Sequence, residues 1–145
     1  IKNTLIVTSG DTVSVHKTDG KLKKLKHTNV VYNAIDGRYI IPINHSCIRE
    51  RNSLSINGHI GVSFVINKKT NKILEDSISV SVHGIYMNEN LFNRVKDSIC
   101  KIVLHLVTKL RDNDKIKQDG QEQIREFMLQ RFQKKPIISM YIHRI

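Results

Sequence analysis

Histidines are the residues of this chain that first suggest metal or acid–base chemistry. A zinc site usually draws ligands from short fixed spacings such as HxH, HxxxH or HExxH, which place side chains on one strand or one helix face. None of these spacings occurs, and three or four histidines would have to converge in space to bind a metal. The sequence therefore favours separate structural roles for all seven: His16, His27, His45, His59, His83, His105 and His143.

Motifs for nucleophilic catalysis and phosphate binding are also missing. There is no GxSxG elbow, no GxxxxGK[ST] loop and no GxGxxG. Cys47 lies two residues from His45, which is too close along the chain for a persuasive thiolate pair. Asp112 and Asp114 lie in a polar segment without the rest of a calcium-loop pattern. The sequence thus predicts no catalytic residue, no metal ligand and no cofactor in this segment.

Cysteine usage and hydropathy indicate the cellular compartment in which the protein works. Cys47 and Cys100 form no CxxC motif, so neither a zinc ribbon nor a disulfide framework is indicated. Reduced thiols in a cytoplasmic protein are the prediction. No apolar run is long enough for a membrane span, and no signal-peptide pattern opens the chain. Because the sequence begins at Ile1 rather than Met, we expect a fragment or a processed product.

The net charge of +11 is the strongest bulk feature of the 145 residues. It predicts affinity for polyanions, RNA or DNA first, although a basic surface typical of a lysine-rich proteome explains it equally well. No strand carries the aromatic signature of an RRM, so base stacking is not predicted. Three clusters are candidates for phosphate contact: Lys21, Lys23, Lys24 and Lys26; Arg49 and Arg51; Arg131, Lys134 and Lys135.

Each cluster also has a structural interpretation. The four lysines suit a solvated linker. The two arginines flank Glu50 and suit ion pairing within the chain. The third cluster suits the end of a helix, where cations complement the helix dipole.

The first 44 residues predict strands and turns. Thr4–Thr8 and Thr12–His16 are β-type runs around Ser9-Gly10-Asp11, a pattern typical of a β-hairpin. Two further turns are predicted within residues 17–44, at Asp19-Gly20 and at Asp36-Gly37. Since a hairpin cannot bury a core alone, this one must belong to another domain or dock on the next. We expect a hairpin over residues 1–16, a linker over 17–44 and a domain over 45–145.

Residues 45–145 predict a self-contained α+β two-layer domain, in which a small, mainly antiparallel sheet packs on two helices. Pro136 ends the last helix and starts a β-branched closing strand. On that strand Ile138, Met140 and Ile142 share one face, which is either core or an interface. The other expected elements are a helical turn at Ile48–Leu54, strands at His59–Asn67 and Ser77–Val82, a helix over Leu91–Leu110 with its cap within Asn88–Asn90, a polar break at Arg111–Gly120, and a helix over Gln121–Gln133.

Several short motifs make the chain resemble the C-terminal portion of ribonuclease J, in its alphaproteobacterial form. Asn3–His16 is similar to the last hairpin of that family's metallo-β-lactamase core. The chain departs from the family at Val82–Ile85, where many members have Ser-Arg-Gly-Phe, and in its basic end at His143–Ile145. The motifs that carry the resemblance are Arg49-Glu50-Arg51, Leu54-Ser55, Gly58, the strand GVSFVIN, Val30-Val31-Tyr32 with Asp36-Gly37, and Lys134-Lys135-Pro136-Ile137.

The resemblance implies a β-CASP metallo-β-lactamase parent with 5′→3′ exonuclease and endonuclease activity on RNA and two zinc ions. The HxHxDH metal motif of that family is absent from this sequence, so no zinc ligand is assigned here. The family's C-terminal domain is associated with oligomer assembly. We expect a non-catalytic module that contacts RNA and the catalytic domains of its own chain and forms a homo-oligomer away from membranes. An independent basic RNA-binding protein and a free-standing metal enzyme are the alternatives.

Overall fold

The computed structural model describes residues 4–74 and 76–145 and divides into two compact units. The first unit ends at His45, and the second spans Ser46–Ile145. Each unit has its own β-sheets. Within the described ranges, no helix combines the length and the apolar character that crossing a membrane requires.

The first unit contains two antiparallel hairpins. In one, β1 (Asp11–Val15) pairs with β2 (Leu22–His27), and in the other β3 (Asn33–Asp36) pairs with β4 (Tyr39–Pro42). No described residue of this unit is buried, as expected for isolated two-stranded sheets. The segment predicted as a linker therefore carries three of the four strands.

The predicted pairing of Thr4–Thr8 with the next strand is wrong. The described residues 4–8 form no strand, and the predicted hairpin's residues 1–3 lie outside the described part. Ser9-Gly10 does form a turn, in which the Asp11 amide donates to the Thr8 oxygen and the Asp11 carboxylate accepts from Thr8, but no strand precedes it for β1 to pair with. The hairpin turn lies instead at Asp19-Gly20, where Gly20 has a φ of 66° that favours glycine.

The second unit has two layers, a four-stranded sheet and a helical layer. The central strand β5 pairs with β8 on one edge, and with β7 and β6 in succession on the other. The elements in chain order are α1 (Ser46–Asn57), β5 (His59–Asn67), β6 (Lys72–Ile73), β7 (Ser79–His83), α2 (Glu89–Lys109), α3 (Asn113–Phe132) and β8 (Ile137–Arg144).

The sheet is mixed, because β8 runs parallel to β5 over eight residue pairs. The other two pairings of β5 are antiparallel, so the predicted α+β class with a mainly antiparallel sheet is confirmed. The parallel direction of β8 was not predicted. The cause lies in the connection between β7 and β8. An antiparallel pair of helices returns the chain to the end of the sheet where β7 finished. Strand β8 therefore runs opposite to β7 and parallel to β5.

The core lies between the sheet and the helices. Residues of β5 alternate strictly, and Ile60, Val62, Phe64 and Ile66 are each at most 1% exposed. Burial of one such side chain contributes about 1.5–3 kcal/mol. Facing residues of the helices and of β8 complete the cluster: Val95, Ile99, Val103, Leu106, Val107, Ile116, Ile124, Met128, Ile138 and Met140.

Helix α3 is longer than the sequence predicts. Its cap, Asp112, accepts a hydrogen bond from the amide of Lys115, so the helix begins within the predicted polar break. Gly120 lies inside the helix and is fully packed, because a Cβ there would lie 2.6 Å from the Cε of Met140. The glycine that resembles a helix breaker in sequence is therefore a point of close approach between α3 and β8. The predicted cap of α2 is confirmed at Asn88.

Candidate interaction surfaces

Two of the four lysines in the first basic cluster are held by carboxylates of the β1–β2 hairpin. Lys24 Nζ lies 2.6 Å from Asp11 Oδ2, and Lys21 Nζ lies 3.1 Å from Asp19 Oδ2. The side chain of Asp11 is 1% exposed. The Lys24 ammonium, with the Thr8 amide and His27, holds the pKa of the Asp11 carboxyl well below its usual range. These contacts stabilise the hairpin and reduce the charge available for phosphate.

Lys23 and Lys26 complete that cluster. Both lie exposed on β2 and make no ion pair with a described residue. They are the members of the first cluster that remain free to contact a polyanion.

The second cluster lies on α1. Arg49 and Arg51 are both exposed, but they are two residues apart on the helix. Residues at that spacing do not face the same side of a helix. The two arginines therefore do not form one phosphate-binding patch.

The third cluster is divided by the end of α3. Lys134 Nζ donates to the backbone oxygen of Ile56 at 2.5 Å, and the Lys135 amide donates to Asn57 Oδ1 at 3.1 Å. Both contacts attach the segment after α3 to the end of α1. Arg131 lies one turn earlier, on the last turn of α3, and is exposed.

The face of β8 proposed as an interface points into the core. Ile138 and Met140 are each 5% exposed, and Ile142 is partly buried against the same cluster. These side chains are needed for packing and are not accessible to a partner. The hypothesis that this face is the interface is therefore corrected: a partner contact on β8 has to use its edge or its opposite face.

The outer edge of β8 is open. The amides of Ile137 and Ile145 donate to β5 and its flanking residue, so the odd-numbered backbone groups face β5 and the even-numbered groups face away. Gln121 Nε2 donates to the outward oxygen of Ile138 at 3.0 Å and closes one end. The outward backbone groups of Met140 and Ile142 have no partner among the described residues.

The face of the sheet opposite the helices is polar. His59 and His83 are cross-strand neighbours with ring centroids 6.2 Å apart, and His59 Nε2 lies 2.9 Å from Ser139 Oγ. Sequence reasoning missed this pair, because 23 residues of chain separate the two histidines. The described residues contain no group of three or more metal-ligating side chains that could hold a metal ion.

The two cysteines lie on different helices. Cys47 lies on α1 and Cys100 lies on α2, and both are partly buried. Partial burial raises the pKa of the Cys100 thiol, which makes it a poor nucleophile.

A comparison with protein families identifies the second unit. The family model described as the ribonuclease J C-terminal domain matches residues 46–145, which is the same range as the compact unit Ser46–Ile145. The match covers more than half of the chain.

Proposed function

The chain belongs to the ribonuclease J C-terminal domain family, and from this premise we propose that the unit Ser46–Ile145 assembles copies of an RNA-degrading enzyme. In this proposal RNA hydrolysis and its zinc ions belong to the catalytic domains of the parent enzyme. The unit itself is non-catalytic and brings active sites together.

The open edge of β8 is the observation that carries this proposal. An exposed edge strand presents unpaired N–H and C=O groups, and proteins normally cover, charge or pair such edges. Here Gln121 covers one end at Ile138, while Met140 and Ile142 are left open in the middle of an eight-residue strand. A strand from another molecule satisfies these groups without disturbing the core.

A second copy of β8 fits the open edge in antiparallel register. Met140 of one copy exchanges two backbone hydrogen bonds with Ile142 of the second copy, and the two-fold axis generates two more. Tyr141, which is 59% exposed, then faces Tyr141 of the second copy at a Cα distance of about 4.5 Å. The antiparallel direction also places Arg144 near Ile138 of the second copy rather than next to another arginine.

The affinity of the proposed dimer depends on the contact between the two copies of Tyr141. Four backbone hydrogen bonds contribute about 2–6 kcal/mol in total. Association costs at least about 4 kcal/mol in lost freedom of motion. The two terms nearly cancel, so side-chain contacts at the two-fold axis decide the affinity, and an aromatic pair adds about 0.5–1.5 kcal/mol.

Disulfide cross-linking tests this register. In a chain carrying Cys47→Ser and Cys100→Ala, we expect Tyr141→Cys to form a covalent dimer under mild oxidation, because the two Cβ atoms face each other across the axis. A protein concentration about tenfold above that used for the unmodified chain offsets the loss of the aromatic pair. The matched control is Ser81→Cys, which is also exposed but lies on β7, on the opposite side of β5 from β8. Non-reducing electrophoresis gives the dimer fraction.

Light scattering on the unmodified chain separates the two parts of the proposal. A species that remains monomeric at all concentrations and salt levels contradicts assembly by this chain. An oligomer in which Tyr141→Cys cross-links no better than Ser81→Cys retains assembly but refutes the β8 register.

A further inference from the structure

A pocket of about 270 Å³ lies between the first half of α2 and the last turn of α3. It is separate from the open edge of β8 and from the polar face of the sheet. Its floor is apolar and its rim is basic. The lining residues used below are Leu91, Arg94, Asp97, Lys101, Phe127, Arg131 and Phe132.

The cations at the rim are not neutralised. Arg94, Lys101 and Arg131 are exposed and make no ion pair within 4 Å with any described residue. Asp97 lies one helical turn from Arg94 and from Lys101, yet it pairs with neither. Three cations therefore surround one carboxylate, and the rim has an excess of positive charge that an anionic ligand would neutralise.

Three basic side chains elsewhere differ in this respect, although exposed lysines such as Lys23 and Lys26 are also unpaired. Lys24 is paired with Asp11, and Lys134 is bound to a helix-terminal oxygen. Arg144 donates to Asn113, to Asn71 and to the oxygen of Arg111. These cations stabilise the fold, whereas the cations of the pocket contribute no such contact.

The apolar floor of the pocket favours a ligand that carries an apolar or aromatic group in addition to negative charge. Phe127 and Phe132 are only partly buried, and Leu91 lies beside them. A bare anion such as phosphate would leave this apolar surface exposed to water. A ligand that carries a planar aromatic group beside its charge covers the floor and meets the rim together, and bases stack on aromatic side chains in this way.

Size and charge limit the class of ligand. The pocket lies just below the range of about 300–1,000 Å³ typical of small-molecule sites, so it holds one planar group. A partner helix would need apolar anchors at several successive turns. A phosphate monoester carries about −1.5 to −2 charges, which matches three cations better than a single carboxylate does. The planar guanidinium of arginine also matches phosphate oxygens in pairs.

We propose that this pocket binds one nucleotide, with the base on Phe127 and Phe132 and the phosphate between Arg94 and Arg131. The nucleotide is either a free monophosphate or the unpaired end of a nucleic-acid strand. This site is independent of assembly through β8.

Titration of the isotope-labelled 145-residue chain, followed by amide NMR shifts, tests the site. With adenosine monophosphate we expect saturable shifts confined to residues 91–101 and 127–132. Ribose 5-phosphate, which lacks the base, should bind at least about fivefold more weakly, since stacking on an aromatic side chain contributes an amount of this size or more. A trinucleotide that binds more tightly than the monophosphate indicates a strand end, and equal affinity indicates a free nucleotide.

Substitutions give the second readout. Arg94→Ala and Arg131→Ala should each weaken binding of the monophosphate about tenfold, as loss of one charge-assisted contact does. The matched control is Lys96→Ala, which removes the same charge from α2 but lies in a different pocket, beside Cys100 and Leu104. Phe132→Leu, which keeps the floor apolar but removes a ring, should weaken the monophosphate and leave ribose 5-phosphate unchanged.

Two outcomes would overturn the proposal. One is equal binding of ribose 5-phosphate and the monophosphate, which would indicate a non-specific anion effect. The other is saturable binding in the pocket of an acidic peptide with one phenylalanine, together with no response to the monophosphate.

Discussion

Substitution of Gly120 by alanine tests the closest contact between α3 and β8. The added Cβ would lie 2.6 Å from Cε and 3.1 Å from Sδ of Met140. Heavy atoms of this kind require about 3.5–4.0 Å. Met140 is 5% exposed and packs in the core, so its end cannot move into solvent. We expect Gly120→Ala to destabilise the second unit, even though alanine is the better helix former.

Two opposing contributions determine how much Gly120→Ala changes the free energy of unfolding. Replacing a glycine inside a helix by alanine stabilises by about 0.8–1.0 kcal/mol. Overpacking a core by one methyl group costs about 1–3 kcal/mol. The difference is a net loss of about 1 kcal/mol in the free energy of unfolding, and for a unit of this size the melting temperature falls by about 4 °C.

Denaturant unfolding followed by circular dichroism measures this change. The matched control is Gln118→Ala, an exposed position on α3, which should change stability by less than about 0.5 kcal/mol. Met140→Leu shortens the side chain and should reduce the cost of Gly120→Ala. A double-mutant cycle is then expected to give a coupling energy of about 1 kcal/mol.

A variant Gly120→Ala that is more stable than the natural chain would refute this reasoning. That result would mean that Met140 moves aside at little cost and that the higher helix propensity of alanine dominates. A destabilised variant with no coupling to Met140 would locate the strain elsewhere.

Three further predictions concern acid stability, the open edge and the end of the chain. Hydrogen bonding to the Lys115 amide lowers the pKa of Asp112, so the ionised carboxylate stabilises the fold above its unfolded pKa of about 3.9. This contribution to stability is lost as the pH falls toward the lower pKa of the folded state. Thermal melts between pH 6 and pH 2 should therefore show a smaller loss of stability for Asp112→Asn than for the natural chain. Ile142→Pro and Ile142→Ala both remove a side chain that packs on the core, but only the proline also removes the N–H that points away from β5, so Ile142→Pro should reduce Tyr141→Cys cross-linking further than Ile142→Ala does. Tyr141→Pro removes a bond to β5 and should unfold the unit, as circular dichroism would report. Arg144→Lys loses a guanidinium that donates to three oxygens, and chemical denaturation should show a loss of about 2 kcal/mol; no loss would contradict a structural role for this residue.

Local pattern was sufficient to predict most elements of the second unit. The alternation of β5 over His59–Asn67 specified a strand with one buried face, and the predicted bounds agree with the structure. The spacing of apolar residues and the cap at Asn88 specified α2. These features depend on backbone period and on hydrogen bonds between residues three or four apart, which neighbouring residues in a sequence determine.

Features that depend on distant residues could not be predicted in the same way. The pairing of β1 with β2 was missed because it is supported by contacts of Asp11 with Lys24 and His27, which lie more than ten residues away in the sequence. Gly120 lies inside a helix rather than ending one because Met140 fills the space beside it. The parallel direction of β8 follows from the return of the chain through two helices.

The candidate sites likewise combine properties that the sequence determines with properties that only the packing determines. Sequence alone determined that the chain is basic, that it lacks spaced metal ligands and that its last strand has two faces, because these properties depend on composition and on a period of two residues. Only the tertiary structure decided that Ile138 and Met140 face the core, that the edge beside Met140 and Ile142 is open, and that Arg94 and Arg131 share one pocket. Burial, edge exposure and the convergence of charges are relations between segments far apart in the chain, and only packing brings those segments together.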